Sequence, residues 1–266
     1  MKTALTTREI RSYKLRDKKV PLKILTCYDF QTSQLLNETD LDMILVGDSL
    51  GNVVLGYENT IKVTIEEMMI FSSAVKRGAP NKFVIGDMPF GTYSSLEDGI
   101  KNATLLFQKS SVEAVKLEGA FPYQLELITR LVQTGIPVMG HIGLTPQSVH
   151  QLGGYYIHGK NASSQEMLLT QAKNLQVAGV FALVLECVES SLSAKITEEL
   201  SIPTIGIGSG KGTDGQVLVI NDLLKMGKDI PPKFVSPIAD LYSLKKELIE
   251  KYLENLNLEN ENNLYN

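Results

Sequence analysis

The sequence is short of the residues that mark several large classes of protein. It holds two cysteines and three histidines in 266 residues. They fall into no paired Cys/His spacing of a zinc site. Cys27 and Cys187 both lie in apolar runs and read as reduced core thiols, which fits a cytoplasmic compartment. Positive charge is short as well: 26 Lys and Arg stand against 30 Asp and Glu, for a net charge of −4. The basic stretch "KLRDKK" (14–19) reads as a solvated helix face, so no nucleic-acid partner is expected. No apolar run approaches the roughly 18 to 20 residues of a membrane helix. "MKTALTTREIRSYK" at the start has no apolar stretch of the signal-peptide kind. The expectation is a cytoplasmic protein that works on small molecules, away from membranes.

What the sequence does have is a recurring unit. Eight Val/Ile/Leu-rich runs follow one another: 22–29, 43–49, 83–89, 114–119, 137–143, 182–187, 203–210 and 216–222. They are nearly continuous rather than alternating, as parallel strands covered on both faces are. Helical stretches fill most of the gaps, at 64–80, 95–110, 123–137, 163–180 and 189–203. Several open on a Thr or Ser cap followed by acids, and several close on Gly or Pro. Eight such units predict an α/β fold, a single-domain (β/α)8 TIM barrel, in preference to a doubly wound sheet. The expected domain is residues 1–255, with an N-terminal helix at 6–18 over the barrel floor and a flexible tail at 256–266. "SGKGTDG" (209–215) is too short for a full helix between the last two strands. Two long connections, after the second and fifth strands, are lid candidates, because barrel active sites lie at the carboxyl ends of strands.

Four of the runs end on a carboxylate: "MILVGDSLG", "FVIGDMPFG", "AVKLEGA" and "ALVLECV". In a barrel, Asp48, Asp87, Glu118 and Glu186 then share one rim. Two like charges about 4 Å apart at an effective dielectric near 20 repel by roughly 4 kcal/mol. Either some are protonated or a cation sits among them. Asp48 and Asp87 come from neighbouring strands and suit one metal, with Glu118 bound directly or through water. All-oxygen donors favour Mg²⁺ or Mn²⁺ over Zn²⁺. For any one of these acids, helix capping or a Lys pair is the competing role. Lys116 shares a strand face with Glu118 and can hold an anionic substrate or pair with an acid. Glu186, across the barrel, is placed as a general base. His141 can hydrogen-bond substrate or be a buried structural histidine. Tyr28 can line the pocket, donate its hydroxyl or pack in the core, and Ser49 can donate to a substrate oxygen or cap the next turn. "GIGSGKGTDG" fails the Walker pattern, since Gly212 follows Lys211, and reads as a glycine-rich turn.

In order along the chain, "LVGDSLG", "GDMPF", "VKLEG", "GHIGLTPQS" with "GGY" shortly after, "LVLE", "IPTIGIGSG" and "TDGQVLV" closely resemble the ketopantoate hydroxymethyltransferase family over residues 7–255. The resemblance implies a barrel of the phosphoenolpyruvate/pyruvate superfamily, commonly a homodecamer built as a pentamer of dimers. It implies transfer of a one-carbon unit from the co-substrate 5,10-methylenetetrahydrofolate to 3-methyl-2-oxobutanoate, giving 2-dehydropantoate, the first committed step of pantothenate synthesis. It also implies residue roles: Asp48, Asp87 and Glu118 at Mg²⁺, Asp48, Ser49, Asp87 and Lys116 at the oxo acid, and Glu186 as proton acceptor. The rival expectations are a Mg²⁺-dependent 2-oxo acid lyase of the same superfamily and a non-catalytic barrel. Against the lyase, no Cys-bearing loop follows the third or fourth strand; against the dead barrel stands the energetic cost of an acid cluster.

Overall fold

The computed structural model describes residues 4–15 and 20–263. Eight strands run β1 (Leu22–Thr26), β2 (Met43–Val46), β3 (Phe83–Asp87), β4 (Ala114–Glu118), β5 (Val138–Gly143), β6 (Ala182–Glu186), β7 (Thr204–Ile207) and β8 (Gly215–Leu218). All pair in parallel and in sequence order, and β1 joins β8 to close the barrel. The eight predicted runs are therefore the eight strands; all but β5, which keeps its full carboxyl end at Gly143, are trimmed there, where the chain turns out of the sheet. Cys27 and Cys187 fall just beyond β1 and β6, and Ile220–Asp222, read as the end of the last strand, belong to a helical turn.

Eleven helices are described: α1 (Thr7–Ser12), α2 (Phe30–Asn37), α3 (Leu50–Val53), α4 (Ile65–Gly78), α5 (Leu96–Ser110), α6 (Pro122–Gln133), α7 (Val149–Leu152), α8 (Ala162–Ala178), α9 (Ser190–Glu199), α10 (Ile220–Leu223) and α11 (Leu241–Asn263). Local chemistry sets their starts. Thr64 and Glu67 form a reciprocal capping box at α4, and Ser95 and Asn161 cap α5 and α8. Asp29, read from sequence as a strand end, instead accepts the Thr32 amide at 2.8 Å and caps α2, a helix the sequence pattern did not pick out. No helix separates β7 from β8, as the short "SGKGTDG" predicts.

The floor of the barrel is apolar. Leu22, Met43, Phe83, Ala114 and Phe181 gather at the amino ends of the strands, with Phe83 and Phe181 edge to face at 5.5 Å between ring centroids. Ile10 of α1 joins this cluster with no exposed surface. Arg11 of α1 donates to the Gly179 carbonyl at 3.1 Å, and Lys14, in the 3-10 turn that follows, pairs with Asp214 at 2.9 Å, so this segment is tied to turns that feed β6 and β8. The expected floor helix is thus present as α1 and a 3-10 turn at Tyr13–Leu15; residues 16–18 of the expected segment lie outside the described residues.

The chain divides into two compact units, Met1–Leu218 and Val219–Asn266. In the second, Lys225 pairs with Asp240, and the Ile238 amide donates to the Leu223 carbonyl at 2.9 Å. Its helix α11 continues to Asn263, through most of the stretch expected as a tail.

Because Ile10 is the fully buried side chain by which α1 fills the floor, Ile10→Ala should cost about 2–5 kcal/mol in chemical denaturation. Divalent-metal binding by the folded variant should be unchanged, since the floor lies at the end opposite the carboxylates.

Candidate active site

Strand parity builds the site. Side chains alternate between the two faces of a strand, so residues two apart point the same way. Along the inward face, Ile85 is followed by Asp87, Ala114 by Lys116 and Glu118, Met139 by His141, and Val184 by Glu186. The face that is apolar at the floor becomes ionisable at the carboxyl mouth. Asp48 joins from the turn after β2. Asp48, Asp87 and Glu118 are buried, and each offers a carboxylate oxygen within 4.8 Å of the others.

A dense polar network holds the three. The Lys116 ammonium donates to both Asp87 oxygens at 2.6 Å and reaches Glu118 Oε1 at 3.4 Å. The Asp48 amide donates to Asp87 Oδ2 at 3.2 Å. His141 stands between two acids, with Nδ1 3.3 Å from Glu118 Oε1 and Nε2 3.3 Å from Glu186 Oε2. These are ion-pair contacts without good hydrogen-bond alignment. Two glycines let the strand ends come close. At Gly143 (φ +97°) a Cβ would lie 2.3 Å from the Glu186 carbonyl oxygen, and at Gly119 (φ +95°) it would meet the Gln124 amide at 2.5 Å, which donates to the Glu118 carbonyl at 2.7 Å.

Burial and mutual repulsion set the charge states. Burial raises the Asp48 pKa well above the usual carboxylate value, and Asp87 and Glu118 push it further. Burial also raises Asp87, although Lys116 opposes it. For Glu118 the balance reverses: burial is outweighed by Lys116 and His141, and its pKa falls. Burial works against the Lys116 ammonium, but Asp87, Glu118 and Asp48 outweigh burial and raise its pKa. His141 is likewise opposed by burial and carried up to about 9, first by Glu118.

The structure therefore brings Asp48, Asp87, Glu118, Lys116, His141 and Glu186 to one mouth. Lys116 is engaged by acids, the competing role noted for it. Ser49 makes no helix-capping bond; its hydroxyl shares a 2.8 Å hydrogen bond with the Tyr28 hydroxyl instead, and Tyr28 is buried. Lys211 of the glycine-rich turn is exposed, whereas Ser209 beside it is buried and spans β6 and β7, donating to the Leu185 carbonyl at 2.7 Å. Both cysteines are free thiols, pushed by burial to about 11.

Sequence reasoning missed Gln147 and Tyr93. The buried Gln147 amide donates to Asp48 Oδ2 at 3.0 Å and to the Met88 carbonyl at 2.9 Å. Its backbone N–H donates to Glu118 Oε2 at 3.2 Å, and its Oε1 accepts the Tyr93 hydroxyl at 2.6 Å. One side chain thus joins the exits of β2, β3 and β5. The available signal was its place in "GHIGLTPQ", just after Pro146 opens a 3-10 turn.

The donor set suits a hard divalent cation. Three buried carboxylates within 4.8 Å, with no thiolate or imidazole in the cluster, match the oxygen preference of Mg²⁺-type ions. Among solved structures, 2,3-dimethylmalate lyase, a member of the PEP mutase/isocitrate lyase superfamily, matches with a TM-score of 0.60 and 15% identity, covering 80% of this chain and 81% of that one. Phosphoenolpyruvate phosphomutase from Streptomyces platensis subsp. rosaceus matches at 0.59 and 12% identity, covering 80% of each. At such identities the likeness concerns the fold alone: this is a (β/α)8 barrel with an acid cluster at its carboxyl mouth. The family model for ketopantoate hydroxymethyltransferase matches residues 4–260, and the chain belongs to that family. A 3-methyl-2-oxobutanoate hydroxymethyltransferase from Leptospira interrogans serogroup Icterohaemorrhagiae serovar copenhageni (strain Fiocruz L1-130) is 48% identical over 235 residues, 88% of this chain and 89% of the relative. One from Geobacillus sp. (strain WCH70) is 47% identical over 247 residues, 92% and 88% of the two chains.

Two outcomes follow from this geometry. A cation and a proton compete for Asp48, and its raised pKa means the proton is held to higher pH. Mg²⁺ affinity measured by calorimetry should therefore be weakest at acid pH and strengthen as pH rises through that titration, with proton release on binding. Gln147→Leu should lower stability by about 1–3 kcal/mol, read by chemical denaturation, because it leaves the Met88 carbonyl and Tyr93 hydroxyl without their partner.

Proposed function

We propose that the chain transfers a hydroxymethyl group from 5,10-methylenetetrahydrofolate to 3-methyl-2-oxobutanoate, giving 2-dehydropantoate in pantothenate biosynthesis. The observation that carries this reading is the buried Asp48–Asp87–Glu118 cluster with Lys116 inside it and Glu186 at its edge, in a chain of this family.

In this reading Asp48 and Asp87 would hold Mg²⁺, with Glu118 joining directly or through water. An ion held there would supply Lewis acidity at the substrate's keto oxygen. The chain does the rest. Lys116 draws the carboxylate of the oxo acid toward the cluster, and Ser49, oriented by Tyr28, donates to a substrate oxygen. Glu186 is less enclosed than the three cluster acids and takes the proton from C3. His141 fixes Glu186 in place while being held by Glu118 from the other side. The nucleophilic C3 then forms the new C–C bond to the one-carbon unit; one water supplies the product's hydroxyl oxygen, the unit's two C–N bonds to the donor break, and tetrahydrofolate leaves carrying the protons. The connections after β2 and β5 are placed to close over the mouth and exclude bulk solvent. A cytoplasmic, homodecameric enzyme belongs to the same reading. Among the described residues no helix is long and apolar enough to cross a membrane.

The enolate half can be tested without folate. Proton NMR of 3-methyl-2-oxobutanoate in D₂O with the protein and Mg²⁺ should show loss of the C3–H signal. Chelator or Glu186→Gln should slow that exchange by at least about 100-fold, the usual lower range for a general base. Exchange that survives Glu186→Gln would remove Glu186 from the role of base.

A further inference from the structure

The barrel unit keeps its exposed aromatic side chains at one end, past the carboxyl ends of the strands. Among the described residues of Met1–Leu218, the exposed Phe and Tyr side chains are Phe30, Phe90, Phe121, Tyr123, Tyr155 and Tyr156. Each follows the carboxyl end of a strand. Phe30 opens α2 after β1, Phe90 lies three residues past Asp87, and Phe121 lies three past Glu118. Tyr123 is in the first turn of α6, and Tyr155 and Tyr156 lie in the connection after β5. None of the exposed rings lies at the amino end of the barrel. Because β3, β4 and β5 are neighbours, five of these six rings form an arc along one side of the mouth.

The arc is tied to the acid cluster. The loop carrying Tyr155 and Tyr156 starts at Gly153 and Gly154, both at positive φ. Its far end is stitched to β6: the His158 amide donates to the Cys187 carbonyl at 2.7 Å, and the Glu189 amide donates to the His158 carbonyl at 2.8 Å. Tyr156 stacks on His158 with ring centroids 4.3 Å apart. The Tyr155 phenol is raised first by partial burial and then by Glu186, Asp48 and Glu118, as a group within the field of the cluster must be.

An exposed aromatic surface beside a buried polar site marks a place where a ligand docks. The cluster is almost closed to solvent: Asp87 is 1% and Glu118 2% exposed. It suits a small oxo acid, while the one-carbon donor of the proposed reaction is a large molecule with a planar bicyclic head. That donor has to deliver its carbon from above. A flat ring system is held best by other rings, which stack on it at little entropic cost.

We propose that Phe90, Phe121, Tyr123, Tyr155 and Tyr156 form the docking surface for the one-carbon donor, stacking on its heteroaromatic head while the oxo acid lies in the acid cluster below. This rests on the function proposed above and assigns the donor's side of the site.

The test uses the full chain and tetrahydrofolate as probe, with Mg²⁺ and 3-methyl-2-oxobutanoate present. Calorimetry should show tetrahydrofolate binding, and p-aminobenzoylglutamate, which lacks the bicyclic head, should bind far more weakly. Phe121→Ala and Tyr156→Ala should each weaken tetrahydrofolate, and raise the KM for methylenetetrahydrofolate, by about 5- to 100-fold. Tyr156→Phe, which keeps the ring, should restore most of the loss. The folate-free exchange of C3–H should proceed in both alanine variants, which separates loss of the donor from collapse of the acid cluster. Unchanged tetrahydrofolate affinity in both alanine variants would overturn the proposal. So would unchanged affinity accompanied by altered sedimentation, because the arc would then be a contact between copies of the chain. Should wild-type protein bind tetrahydrofolate through these rings yet neither exchange nor turn over the oxo acid, the docking surface would stand and the assigned substrate would fall.

Discussion

An ammonium buried among three carboxylates governs the upper half of this barrel. Lys116 lies 2.6 Å from both oxygens of Asp87 and 3.4 Å from Glu118. Taking such groups out of water costs several kcal/mol per ion, roughly, and only close pairing with further hydrogen bonds offsets it. The pairing here is unequal. Glu118 has two cationic neighbours and is stabilised as the carboxylate, whereas Asp48 receives one amide from Gln147 and is pushed toward its neutral form. The cluster is thus short of positive charge at Asp48, which is where an added cation gains most.

The lower half makes this tolerable. Ile10, Leu22, Met43, Phe83 and Phe181 fill the floor with apolar volume and hold the strands in register, independent of the charges above. A closed sheet leaves no edge and fixes every strand against two neighbours. Lys116 and Asp87 are paired across β3 and β4, as are Glu118 and His141 across β4 and β5. The distances in the site are consequences of that register. A slip of one residue in β4 would turn Lys116 and Glu118 outward and bring Val115 and Leu117 in.

Much of this was legible in the sequence because it rests on short periodicities. Eight apolar runs gave the strand count, and acids at the ends of four of them gave the rim. The helix starts at Thr64 and Ser95 followed from capping chemistry. Asp29 misled because an acid after an apolar run reads equally as a strand end or a cap, and only the Thr32 amide against it decides. Gln147 and Tyr93 were not legible: each is one polar residue in an irregular connection, and their importance arises from partners in other βα units.

The sequence by itself determined which residues face inward, because alternation along a strand is a local property of the backbone. It also determined the kind of chemistry available, since the donors at the mouth are carboxylates with one lysine and one histidine. Which residue pairs with which was decided only when the barrel closed. Lys116 has Glu118 two residues away, yet its shortest contacts are to Asp87, on the neighbouring strand. Likewise His141 bridges acids of the strands on either side of it. These choices depend on distances of a few ångströms between segments far apart in the chain, and only register and closure supply them.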